Sequence, residues 1–118
     1  MELAGKTILV LEDEPIIAMA LEDHLELAGA VPVMAATLAQ AFEAVAGERL
    51  DAAILDVNVH GEKSYPVADS LTTRGIPFVF ASGYGDTLHE AAYREVPTVT
   101  KPYNLEAIRS AFALLPHG

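Results

Sequence analysis

The chain has 118 residues, 52% of them hydrophobic, and its seven Lys and Arg against 17 Asp and Glu give a formal charge of −10. That length fits one ordinary domain (1–118), and the hydrophobic fraction excludes disorder; the absence of cysteine excludes a disulfide framework or a thiolate metal site. Nucleic acid is excluded as a favoured partner, because phosphate backbones are bound by clustered Lys and Arg. Met1-Glu2-Leu3-Ala4-Gly5-Lys6 lacks the cationic-then-apolar order of a signal peptide, and no apolar run approaches a membrane span. A cytoplasmic protein with no membrane partner is the expectation.

In chain order, Thr7 to Leu11 reads as a first strand, running into Glu12-Asp13. Pro15 suits the first turn of a helix, and Ile17, Leu21, His24, Leu25 and Ala28 recur at helical spacing before Gly29. Val31 to Ala35 is a short second strand. Thr37 can cap a second helix with Leu38, Ala41, Phe42 and Val45 inward, before Gly47. Asp51 to Asp56 is the third strand, a nearly unbroken apolar run of the kind found where both sheet faces are covered. A third helix is predicted from about Pro66 to Arg74, with Val67, Ala68 and Leu71 inward and Gly75 ending it. Ile76 to Ala81 is the fourth strand, running into Ser82; Pro77 is tolerable near its start. Asp86 to Glu95 is a weak or short fourth helix with little bulk to bury. Val96 to Thr100 is the fifth strand, running into Lys101-Pro102, and Asn104 caps a last helix with Leu105, Ile108, Phe112 and Leu115 inward. The alternation predicts an α/β (βα)5 domain: a parallel five-stranded sheet with right-handed crossovers and helices on both faces.

In such a sheet, residues just beyond the carboxyl ends of the strands converge. Glu12, Asp13 and Asp56 are then expected within several ångströms of one another. Two carboxylates about 5 Å apart repel by roughly 3 kcal/mol at an effective dielectric near 20. A fold tolerates this when a cation neutralises the cluster or when one acid stays protonated. Hard oxygen ligands favour Mg²⁺ (or Mn²⁺), which keeps several waters and is shared between carboxylates and phosphate. Lys101 adds a positive charge suited to a phosphate oxygen, and Ser82 a hydroxyl. Asp56, standing alone at the central strand, is the natural nucleophile toward phosphorus. His60, four residues past Asp56, is placed on the loop facing the pocket, where it could influence access or proton balance.

Leu11-Glu12-Asp13-Glu14-Pro15, Ile54-Leu55-Asp56, Phe80-Ala81-Ser82-Gly83-Tyr84 and Thr100-Lys101-Pro102-Tyr103 occur in order and at fitting separations. Together they resemble a two-component response-regulator receiver domain over essentially the whole chain. The third element, with Tyr65-Pro66-Val67-Ala68 upstream, resembles the FAT GUY subgroup of receivers, often partnered with HWE-type histidine kinases. The resemblance implies the flavodoxin-like strand order 2-1-3-4-5. It implies a phosphoacceptor that promotes its own phosphorylation and dephosphorylation in a phosphorelay, as switch or phosphate shuttle, rather than a turnover enzyme. Asp56 would accept a phosphoryl group from a histidine kinase or histidine phosphotransfer protein. Glu12 and Asp13 match the acid pair that binds Mg²⁺ with Asp56 and the backbone carbonyl of Asn58. Ser82 and Lys101 match the phosphoryl-contacting hydroxyl and lysine, and Asn58 and Tyr84 match positions that tune hydrolysis. Thr98 departs from the Tyr or Phe that many receivers carry three residues before the lysine, so the usual hydroxyl–aromatic coupling is expected to be missing. The last helix ends just before the C-terminus, so a stand-alone receiver is the expectation.

Three other classes fit less well. A flavin or nucleotide binder wants Gly, Ser or Thr amides after the first strand, where this chain has Glu12-Asp13-Glu14. A phosphatase with an aspartyl intermediate needs a further acid near the nucleophile, and Val57 and Asn58 supply none. A scaffold that signals without phosphorylation has no use for an intact acid pocket.

Overall fold

The alternating apolar runs become a single parallel sheet in the computed structural model, which describes residues 2–82, 96–100 and 104–115. In chain order the elements are β1 (Thr7–Leu11), α1 (Pro15–Leu27), β2 (Val31–Ala35), α2 (Leu38–Gly47) and β3 (Ala52–Asp56). A short hairpin follows, β4 (Asn58–Val59) and β5 (Glu62–Lys63), then α3 (Tyr65–Thr73), β6 (Phe78–Ser82), β7 (Thr98–Thr100) and α4 (Leu105–Ala113). The sheet runs β2-β1-β3-β6-β7, the predicted flavodoxin-like order once the separate hairpin is set aside. The expected weak helix at 86–95 lies outside the described residues, among which there are four helices.

Side chains alternate across the pleat, so each central strand feeds two cores. Leu9, Leu11, Leu55, Phe78 and Phe80 pack with Ala41 and Val45 of α2 and Val67, Ala68 and Leu71 of α3. Ile8, Val10, Ile54 and Val79 pack with Leu21 and Leu25 of α1 and Ile108 and Phe112 of α4. All five residues of β3 and of β6 are buried, as are the last four of β1, which explains their unbroken apolar runs. Edge strand β2 is more exposed, as its position demands.

Local chemistry sets the ends of the helices. The expected caps of α2 and α4 are both present: Thr37 Oγ1 accepts from the Gln40 N–H at 3.1 Å, and Asn104 Oδ1 from the Ala107 N–H at 2.9 Å. Helices α1 and α3 stop in the same way, on a left-handed glycine. Gly29 (φ +84°) and Gly75 (φ +71°) let the Ala30 N–H reach the Leu25 carbonyl and the Ile76 N–H reach the Leu71 carbonyl, both at 2.9 Å.

Several boundaries differ from expectation for identifiable reasons. Strand β3 starts at Ala52, and Asp51 before it bonds Thr7 twice: its N–H donates to the Thr7 carbonyl and its carboxylate accepts the Thr7 N–H, both at 2.8 Å. Strand β6 starts after Pro77, and β7 at Thr98 rather than Val96. Helix α3 begins one residue earlier than predicted, on Tyr65, whose ring meets Phe80 edge-on with centroids 5.6 Å apart. Phe42 was expected inward, but it is 39% exposed and Ala44 takes the buried position, because the α2 stripe runs through residues 41, 44 and 45. No helix of the described residues is long and apolar enough to cross a membrane.

A methyl group built on Gly75 meets nothing within 4 Å, so its replacement tests backbone strain alone. Gly75→Ala is expected to lower stability by about 1–2 kcal/mol, the cost of a left-handed alanine, read as a lower urea midpoint at unchanged slope.

Candidate functional site

Register brings the site together. Leu11 pairs with Leu55, which puts Glu12 level with Asp56; Asp56 in turn pairs with Ala81, one residue before Ser82. Neighbouring parallel strands lie about 4.8 Å apart, so side chains at one height on β1, β3 and β6 meet across the carboxyl edge of the sheet. Carboxylate oxygens of Glu12, Asp13 and Asp56 lie within 4.8 Å of one another. Glu12 and Asp56 are buried, at 2% and 5% exposure, as is Ser82 at 4%. Asp13, with 19% of its side chain exposed, forms the open side of the cluster.

The main chain supports these carboxylates. The Glu12 N–H extends the β1–β2 ladder by donating to the Ala35 carbonyl at 3.0 Å, and its Oε2 accepts the Glu14 N–H at 3.1 Å. Asp13 Oδ2 accepts the His60 N–H at 2.9 Å, across 47 residues of sequence. The Val57 N–H donates to the Ala81 carbonyl at 3.0 Å, carrying the sheet one residue past Asp56. The chain then leaves as the β4–β5 hairpin, and half-buried Asn58 opens it.

Burial, the largest influence, pushes the Asp13 carboxyl up, but hydrogen bonds from the His60 N–H and with the Asp56 and Glu12 side chains together outweigh it and hold Asp13 below its usual value of 3.8. Asp13 therefore stays ionised at neutral pH and presents a hard anionic oxygen beside two further carboxyl groups. Such a set could hold a divalent cation of the Mg²⁺ or Mn²⁺ type, which relieves a repulsion of about 3 kcal/mol per charged pair at this spacing. A proton shared between carboxyl groups relieves the same repulsion, so the two compete for one place.

The structure thus brings together Glu12, Asp13 and Asp56, with Ser82 at the adjoining strand end and Asn58 two residues past Asp56. Lys101 and Tyr84 lie outside the described residues. Sequence reasoning missed the hairpin and its grip on Asp13. The available signal was His60-Gly61 between Val59 and Glu62, a turn dipeptide in which both residues take positive φ, +50° and +80°.

No protein-family model matches the sequence, and no curated protein matches it significantly. Solved structures do. SdrG from Sphingomonas melonis Fr1 is 45% identical, with 97% of this chain and 98% of that one covered and a TM-score of 0.84. SdrG from Pseudomonas melonis Fr1 in its BeF3-activated conformation is also 45% identical, covering 94% and 96%, with a TM-score of 0.79. The REC domain of the response regulator PhyR from Erythrobacter litoralis is 29% identical, covering 94% and 89%, with a TM-score of 0.74. A chain with this sheet order, this acid cluster and these neighbours is a two-component signalling module: it belongs to the response-regulator receiver family.

The lowered Asp13 value fixes the sign of an acid effect. A carboxyl group whose folded value is depressed contributes stability above its unfolded value, and that contribution is lost as pH falls through the folded one. Comparing urea midpoints of wild type and Asp13→Asn, the difference between the two is expected to move in the variant's favour as pH drops from 6 to below about 4.

Proposed function

We propose that this receiver accepts a phosphoryl group on Asp56 from the phosphohistidine of a histidine kinase or histidine phosphotransfer protein, with Mg²⁺ (or Mn²⁺) bound at Glu12, Asp13, Asp56 and the Asn58 backbone carbonyl. The observation that carries the reading is the convergence of three carboxylates within 4.8 Å at adjacent strand ends. A buried like-charge cluster is costly unless a cation or a proton neutralises it.

In this reading a carboxylate oxygen of Asp56 attacks phosphorus, the P–N bond of the phosphohistidine breaks, and the departing imidazole takes up a proton. The cation supplies charge neutralisation for the phosphoryl oxygens. Asp56 sits at the end of a strand buried on both faces, so its carboxylate is held by the sheet rather than by a loop. The Ser82 hydroxyl, carried on the next strand, donates to a phosphoryl oxygen, and Lys101 pairs with another. Asn58 and Tyr84 tune the rate of hydrolysis. A relative described in a BeF3-activated conformation supports this chemistry, since a beryllium trifluoride group on a carboxylate imitates a phosphoryl group.

The same reading makes the protein a cytoplasmic component of a phosphorelay, acting as switch or phosphate shuttle, with no nucleic-acid or membrane partner. Membership of the FAT GUY subgroup, with an HWE-type kinase upstream, is supported by the Phe80-Ala81-Ser82-Gly83-Tyr84 motif. Thr98 opens β7 opposite Phe80, so the aromatic switch found in many receivers has no ring at this place.

Incubation with a small acyl phosphate and Mg²⁺ is expected to add one phosphoryl mass to the intact protein, and none to Asp56→Asn; an unmodified, folded wild type under saturating donor would refute the assignment. Mg²⁺ at a hundredfold excess over its dissociation constant is expected to add about 2.7 kcal/mol of stability. That gain should vanish in Asp13→Asn, read by urea denaturation with and without the cation.

A further inference from the structure

We propose that His60 is a positioning residue: its imidazole pins the β4–β5 hairpin over the acid cluster so that its own main-chain N–H holds the Asp13 carboxylate in the orientation a divalent cation requires. The inference rests on the metal-binding reading of that cluster.

Among the described residues, His60 is the one non-glycine with positive φ, at +50°. Together with Gly61 at +80° it forms the two-residue turn of the hairpin, in which Asn58 pairs with Lys63 and Val59 with Glu62. A side chain in this backbone region is uncommon, and an observed outlier beside a functional cluster calls for a cause. Two contacts supply one. The His60 N–H donates to Asp13 Oδ2 at 2.9 Å, and His60 Nε2 lies 3.1 Å from the Ala36 carbonyl oxygen. A carbonyl only accepts, so Nε2 is the nitrogen that carries the proton there.

Asp13 belongs to the β1–α1 turn, Ala36 to the β2–α2 turn and His60 to the β3–α3 connection, so one residue ties together three loops on the carboxyl edge of the sheet. Ion pairing is not the device. Nδ1 is 3.9 Å from Asp13 Oδ2, and the His60 side chain is 62% exposed, a setting in which charge pairs count for little. The hold on Asp13 comes from the backbone, and the side chain holds the backbone. With Oδ2 engaged from the hairpin side, the Asp13 carboxylate is held in place beside those of Glu12 and Asp56. Loss of a hydrogen bond that orients a metal ligand typically costs roughly tenfold to a hundredfold in metal affinity.

Two variants of the full chain separate the side-chain anchor from the turn. His60→Asn keeps a residue that favours positive φ but is too short to reach Ala36; His60→Gln keeps an amide donor at comparable reach. Mg²⁺ titration followed by the backbone amide signals of residues 13 and 60 is expected to show affinity on the order of tenfold weaker in His60→Asn and restored towards wild type in His60→Gln. Without Mg²⁺, the residue-60 amide in His60→Asn should exchange with solvent roughly tenfold faster than in wild type. Wild-type Mg²⁺ affinity together with wild-type exchange in His60→Asn would overturn the proposal. A wild type that ignores millimolar Mg²⁺ would instead sink the metal reading, while the exchange comparison would still decide whether the imidazole pins the hairpin.

Discussion

Mutual repulsion among three carboxylates is the constraint around which this domain is arranged. Glu12, Asp13 and Asp56 have oxygens within 4.8 Å of one another, two of the three side chains are buried, and the surrounding groups serve to make that arrangement tolerable. Backbone N–H groups of Glu14 and His60 donate to the cluster, and the hydrogen bonds reaching Asp13 outweigh the burial that opposes its charge. A site of this kind has a place for positive charge built into it. In the proposed function a cation fills that place, and its charge offsets first the acids and then the oxygens of an anionic phosphoryl group.

The sheet makes the cluster possible by geometry rather than by contact. Strand β1 lies between β2 and β3, so the acids that follow it emerge beside Asp56 and two strands away from Ser82, with β3 between. Because β1, β3 and β6 are covered on both faces, they cannot slip in register without moving large side chains such as Phe80 from one core into the other. The rigidity needed to hold like charges at fixed separation is therefore supplied by the two apolar cores. The loops then add finer control: the β4–β5 hairpin brings His60 back onto Asp13, across a sequence distance that no local rule anticipates.

Much of this was legible in the residues. Strand-like runs ending in Glu12-Asp13 and Asp56 pointed to carboxylates that the structure does bring together, and the positions of Thr37, Asn104, Gly29 and Gly75 marked helix ends where the structure has them. Misreadings occurred where tertiary contacts outrank local pattern. Phe42 fits one helical repeat and Ala44 another, and the packed face of α2 is the one through residues 41, 44 and 45. Asp51, which reads as the first residue of a strand, precedes it and binds Thr7 through both its N–H and its carboxylate. The hairpin escaped notice because strands of two residues carry no periodicity to detect.

What the amino-acid order determined by itself was the kind of object: hydrophobic period and turn chemistry dictate alternating strands and helices, and the type of residue at each strand end dictates the available chemistry. Only the tertiary structure decided how close those residues stand, which carboxylate faces solvent, and which backbone donor holds it. The reason is physical. Periodicity and propensity act over a few neighbouring residues, whereas separation, burial and the balance of charge at a site depend on strands and loops whose sequence positions lie far apart.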